Sequence, residues 1–444
     1  MCVASIGKPY LSVALAALAA ASMWFYVKLI LIPYQVQDAA QVGRPRGNLS
    51  DLYPRWLGAR ELLLRGRNPY SHDVTLEIQR GYYGRELDPA RPNDPKDQAR
   101  FAYPLYVVFL LAPFVRMNFL EVQVAAFWCL GFFGLASVLL WEQVLKVHFA
   151  FANSLTAILL LLATYPFIQA VSLQQPVLLV LLFLAASFFA RSRGWFFSSG
   201  ALMAIATIKP QTVIYAVLLM LIWVSWNWKE RQRWFWGFTS TMGVLLAASE
   251  LLLPGWLPQF YEALRAYQGY LANTAFLDLF LTSRWAWLGR MLISVAVVWA
   301  AWTSREQPLA SVASRRAICL SLVAAICNSP NLGTYNQVLL VPGFLLVVEQ
   351  RSVLRQAKGL LRYLSGLVVV LALWPWVTCA ALIILKFAFH ADVFVQHTLQ
   401  LPSFGILQLP LVTLALLLVL PTERHSAGRS LATVPRGVSC ILSL

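Results

Sequence analysis

Apolar runs close to the length of a bilayer crossing, about 20 residues, recur along this 444-residue chain from end to end. Only 12% of the residues are charged, against about 25% in soluble domains. The pattern predicts an all-α polytopic integral membrane protein and excludes a string of soluble domains. Twelve spans are expected, near 10–33, 119–146, 152–171, 176–190, 196–209, 211–228, 234–254, 285–303, 314–328, 334–349, 361–388 and 405–421. The first contains "YLSVALAALAAAS", which would also suit a cleaved signal peptide. The apolar run continues through "MWFYVKLILI", so an uncleaved helix is expected.

Short loops rich in Lys and Arg face the cytoplasm. The stretches "ARSRGW" (190–195), "WKERQRW" (228–234), "TSREQPLASVASRR" (303–316), "EQRSVLRQAKGLLR" (349–362) and "TERHSAGRS" (422–430) then share one side with Lys146. This requires that "FAYPLYVVFLLAPFVRM", 101–117, is interfacial or re-entrant and not a separate crossing. Both termini lie inside, residues 34–117 form a large first outer loop, 119–421 carry the remaining spans and 422–444 are a cytoplasmic tail. The net charge of +16 follows from the same bias and implies no nucleic acid. The aromatic cluster "WVSWNWKERQRWFW" (223–236) suits an inner interfacial belt. Cys2, Cys129, Cys319, Cys327, Cys379 and Cys440 form no CxxC or Cys/His cluster, so neither a disulfide framework nor a zinc site is expected. His390, His397 and Asp392 lack the spacing of a metal motif. No phosphate-loop, dinucleotide, metalloprotease or serine-hydrolase motif is present.

Residues 195–227 hold one charged side chain, Lys209, within "ATIKPQTVIY". A single helix over this stretch would be about 50 Å long, too long for a hydrocarbon core of about 30 Å. Two helices meeting near Pro210 solve the problem and put Lys209 at an outward hairpin tip. "SLQQPV" (172–177) and "NSPNLGTYNQ" (328–337) make two more polar tips. Proline suits the first turn of each returning helix, whose N-terminus favours an anion. Lys209 is thus a candidate for a phosphate, or else a snorkelling or ion-paired lysine. Gln174, Gln175, Gln211, Asn331 and Asn336 could bind sugar hydroxyls or cap helix ends. Tyr103 and Tyr335 could stack on a sugar or line a cavity.

In "GNLSDLYPRWLGARELLLRGRNPY" (47–70), Ser50 or Asp51 could cap a helix from Tyr53 to about Leu64, stopped by "GRNPY". Trp56, Leu57, Leu62 and Leu64 give it an apolar side suited to the membrane surface. Asp51 is a candidate general base, although Asp also favours the N-cap. Arg60 of the same stretch is a candidate substrate contact.

In this order, Asp51, "LGARELLLRGRNPY", "FAYPL", "IKPQ" and "SPNLGTYNQ" resemble glycosyltransferase family 87, over residues 10 to 350. The family includes polyprenyl-phosphomannose-dependent mannosyltransferases. The resemblance implies a C-type glycosyltransferase architecture, a polyprenyl-phosphate-sugar donor, and a lipid or glycan acceptor at the outer face of the cytoplasmic membrane. No cofactor is expected; a divalent metal stays open, though no acidic pair stands at Asp51 to hold one. Such enzymes usually invert the anomeric centre. It implies Asp51 as base and Lys209 near the donor phosphate. Two departures stand out: the turn "SPNLGTYNQ" lacks a His, and "LQQP" replaces a Gly-Gln-x-Asn pattern. A transporter or flippase of lipid-linked sugars is the rival, since broken helices with an intramembrane lysine also occur there. A non-catalytic assembly factor is the third class. Residues beyond about 350 carry no usable motif.

Overall fold

A computed structural model describes residues 7–270, 275–330, 333–389 and 400–422. All regular elements among them are helical. Six helices are long and apolar enough to cross a membrane: Tyr10–Gln41, Phe119–Val144, Trp228–Leu252, Ser283–Ser304, Gly359–Ala388 and Gln400–Val419. A seventh span exists if Phe151–Leu162 and Tyr165–Ser172, bent by 64°, count as one. The apolar run 152–171 therefore is not one straight helix. Thr164 accepts a hydrogen bond from the Phe167 amide at 3.3 Å, and Pro166 sits in the first turn of the new helix, so the ladder restarts there.

The other expected spans are shorter helices: Val177–Ser192, Phe196–Ala206, Pro210–Trp226 and Val312–Cys327, and the pair Thr334–Leu340 and Val341–Glu349, the first a 3₁₀ helix. At 1.5 Å per residue Phe196–Ala206 is about 16 Å long. Val177–Ser192 and Val312–Cys327 lie largely inside the protein, whereas Phe197 and Ile214 are exposed on Phe196–Ala206 and Pro210–Trp226. Val312–Cys327 is buried over nearly its whole length, between Pro210–Trp226, Ser283–Ser304 and Gln400–Val419. A helix wrapped by protein has no need to match lipid thickness, which is why hydropathy alone counted twelve equal spans.

Phe196–Ala206 packs on Trp228–Leu252, which starts six residues before the expected 234. A Cβ on Gly200 would overlap the Trp234 carbonyl oxygen, and one on Gly237 the Phe197 carbonyl oxygen. The two backbones touch, as small residues permit between membrane helices. At the far ends, the Arg191 and Arg231 guanidinium groups lie 4.1 and 4.5 Å from the Trp223 ring.

In the 34–117 region, Leu52–Arg65 packs on His72–Tyr83. Its end is set by Gly66, in the left-handed region at φ 64°. The apolar side expected to face the membrane faces the protein. Trp56, Leu57 and Leu62 are buried, and only Leu64 is exposed. The partner is the 101–117 segment. Phe101 fills the space a Gly58 side chain would need, and the Trp56 indole donates to the Phe114 carbonyl at 3.1 Å. A buried apolar face and a lipid-facing one read alike in sequence. Residues 107–114 form only a five-residue helix, Val107–Leu111, and one 3₁₀ turn, too short to cross. Among the described cysteines, Cys319, Cys327 and Cys379 are buried and free.

Candidate functional site

The tip between Tyr165–Ser172 and Val177–Ser192 seats Asp51. The Asp51 amide donates to the Leu173 carbonyl at 3.2 Å. Arg55, one turn on and buried, donates to the Asp51 carbonyl at 2.9 Å and the Gln174 carbonyl at 3.0 Å. Gln174 adopts φ 50°, a left-handed conformation uncommon for a residue with a side chain. Its amide nitrogen donates to the Val171 and Ser172 carbonyls, and its oxygen accepts from the Ser50 hydroxyl. Gln174 is thus a brace behind the site. Asp51 begins the helix Leu52–Arg65 but makes no side-chain cap, so its carboxylate is free for other partners.

Those partners are Tyr82, whose hydroxyl donates to Asp51 Oδ1 at 3.0 Å, and Gln175, whose Nε2 donates to Oδ2. Gln175 Oε1 in turn accepts from Lys209 Nζ at 3.3 Å, and Asn336 Oδ1 accepts from the same ammonium at 2.8 Å. The ammonium lies 4.4 Å from the centre of the Tyr335 ring, a cation–π contact. Lys209 precedes Pro210, the first residue of its helix, so the hairpin expected there forms. Burial pushes the Asp51 carboxyl above the ordinary carboxylate range, while Arg55, Tyr82, Lys209 and Gln175 pull it back. Burial and the neighbouring carboxylate keep the Tyr82 hydroxyl protonated.

Asp51, Tyr82, Gln175, Lys209 and Tyr335 line a cavity of about 220 Å³. Asp51, Gln175, Lys209 and Gln211 supply its polar groups, and Tyr82, Tyr103, Tyr335 and Tyr267 its aromatic walls. Tyr103 stacks under Arg55 at 4.8 Å. Asp97 and Arg100 also reach it. Burial raises Asp97, as does the charge of Asp51, against a hydrogen bond from the Ala99 amide. No acidic partner for Asp51 stands near it in sequence, yet the fold brings Asp97 to the same cavity. Among the described residues no group of three or more His, Cys, Asp or Glu side chains could hold a metal.

Of the residues singled out from sequence, Asp51, Lys209, Gln175, Gln211, Tyr103 and Tyr335 share the cavity, and Asn336 supports it from behind Lys209. Arg60 does not reach it. Its guanidinium stacks on Trp56 at 5.2 Å, because five helical residues place it about 140° around from Arg55. Asn331 lies outside the described residues, as do His390, His397 and Asp392; Pro330 next to Asn331 lines the cavity. Sequence reasoning missed Arg55, Tyr82, Asp97, Arg100 and Tyr267. Only Arg55 carried a signal, its place one helical turn after Asp51. Tyr267 comes from Trp256–Tyr270, a helix in what looked like a plain outer connection.

No protein-family model, curated protein or solved structure matches the chain.

Proposed function

We propose that this protein is a membrane glycosyltransferase. It moves a hexose, mannose in the family it resembles, from a polyprenyl-phosphate carrier to a lipid or glycan acceptor at the outer face of the cytoplasmic membrane. The observation that carries this reading is the pairing of Asp51 with Lys209. A half-buried carboxylate and a buried ammonium line one cavity without forming an ion pair. Asp51 takes the proton of an acceptor hydroxyl. The freed oxygen bonds to the anomeric carbon from the face opposite the phosphate, whose C–O bond breaks. The leaving polyprenyl phosphate keeps the electron pair, and Lys209 meets its charge where it develops. Tyrosine walls suit the faces of a sugar ring, and the cavity has room for about one ring.

The order of motifs, which resembles that of glycosyltransferase family 87, supports the same reading. So does the position of the helices. The six long ones, the bent pair and the five shorter segments fall on the twelve apolar runs, and basic loops touch one another, Arg231 donating to the Arg305 carbonyl and Arg315 pairing with Glu349. The C-type architecture and the outward-facing cavity are part of this proposal.

The test uses purified protein in lipid vesicles, a radiolabelled polyprenyl-phosphate sugar and a glycolipid extract. Transfer by wild type is expected, with a drop of about 10²–10⁴-fold in Asp51→Asn and donor binding retained. Equal transfer by both removes Asp51 as the base. Lipid-linked sugar that crosses the vesicle with its covalent state unchanged favours a transporter and sinks the transferase.

A further inference from the structure

Gln175 looked from sequence like a sugar ligand, but both polar ends of its side chain are committed. The amide nitrogen donates to Asp51 and the oxygen accepts from Lys209. The residue is 2% exposed. Its orientation is dictated by charge on both sides. Turning the amide over would face its NH₂ to the ammonium and its oxygen to the carboxylate, two repulsions in one move. No Asp51–Lys209 ion pair forms among the described residues. In a poorly solvated cavity two such charges attract strongly, so something must keep them apart. A direct pair would blunt the carboxylate as a base and withdraw the ammonium from an incoming anion.

We propose that Gln175 is a positioning residue, a neutral spacer that holds the Asp51 carboxylate and the Lys209 ammonium apart, each hydrogen-bonded and each still charged for its own partner. This rests on the transferase reading of the site. The spacer lets one cavity offer a proton acceptor and an anion subsite side by side. Lys209 has three donors. Gln175 and Asn336 use two, which leaves one for a phosphate oxygen.

Two variants of the full chain in lipid nanodiscs test the idea. Gln175→Met keeps the length and loses both polar atoms. Gln175→Glu keeps the shape and puts a second carboxylate against Lys209. The protonation of Asp51 is followed by infrared difference titration, its band identified by loss in Asp51→Asn. Binding of polyprenyl phosphate is measured in parallel. In Gln175→Met the Asp51 titration is expected to rise by about one pH unit, the effect of one lost hydrogen bond to a carboxylate, with affinity for polyprenyl phosphate within about threefold. In Gln175→Glu the affinity is expected to fall about tenfold or more, because the ammonium is already paired. An unmoved Asp51 titration in Gln175→Met, or equal losses of affinity in both variants, overturns the spacer. The titration needs no transferase activity. A wild type that transfers no sugar therefore defeats the functional reading while the spacer is still decided.

Discussion

Lys209→Met separates a lysine kept for a ligand from one kept for the fold. Lys209 is 5% exposed, and the hydrogen-bond partners of its ammonium are the amide oxygens of Gln175 and Asn336. Holding a cation there without a bonded acid costs several kcal/mol in desolvation, offset in part by those oxygens and by the Tyr335 ring. Methionine removes that cost. It also strips two buried oxygens of their donor, at about 1–3 kcal/mol each. The terms nearly cancel, so the thermal midpoint is expected to stay within about 5 °C. The ligand has no such compensation. A charge-assisted hydrogen bond to phosphate is worth about 1.5–3 kcal/mol, so polyprenyl phosphate is expected to bind roughly 10- to 150-fold more weakly. The assay is equilibrium binding of radiolabelled polyprenyl phosphate in nanodiscs, beside unfolding followed by tryptophan fluorescence. Unchanged affinity with an intact midpoint would refute the phosphate assignment. A collapsed midpoint would show that Lys209 holds the fold.

Asp51 also ties stability to pH. Burial keeps its proton on above the ordinary carboxylate range, so the folded chain binds a proton that the unfolded chain has released. Stability then falls as pH rises from the unfolded value through the folded one. Asp51→Asn is expected to flatten that part of the curve of thermal midpoint against pH; superimposable curves would contradict it. The orientation is tested with single cysteines in place of Asn93 and Arg233, in a cysteine-free background. They are expected to react with impermeant reagents from opposite sides of sealed vesicles, and labelling from one side removes the assigned topology.

The hairpin at Lys209 was legible because a charge beside proline in a long apolar run admits few placements. Asp51 was legible because it follows the first span in a stretch with helix-start signals. The contacts between them were not. Gln174 and Gln175 are adjacent and chemically identical, yet one braces the backbone and the other reaches the cavity. The left-handed backbone of Gln174 divides their roles, and no composition rule anticipates it. Tyr82 and Asp97 come from the polar region between the first spans, where neither period nor spacing marks one residue above another. The apolar side of Leu52–Arg65 was visible, but whether lipid or Phe101 covers it depends on a segment more than thirty residues away.

The bond from Lys209 to Asn336 has a consequence for how the protein is made. Asp51 leaves the ribosome 285 residues before Asn336, about 15–60 s earlier at ordinary elongation rates of about 5–20 residues per second. Through that interval the carboxylate segment is already made, while Lys209 has yet to receive its last hydrogen-bond acceptor. Nascent chains stalled before the third tip therefore carry an acid with no matching cation pocket. If the proposed transferase reading holds, such a chain carries only a half-built site, and chemistry waits on synthesis of the third tip.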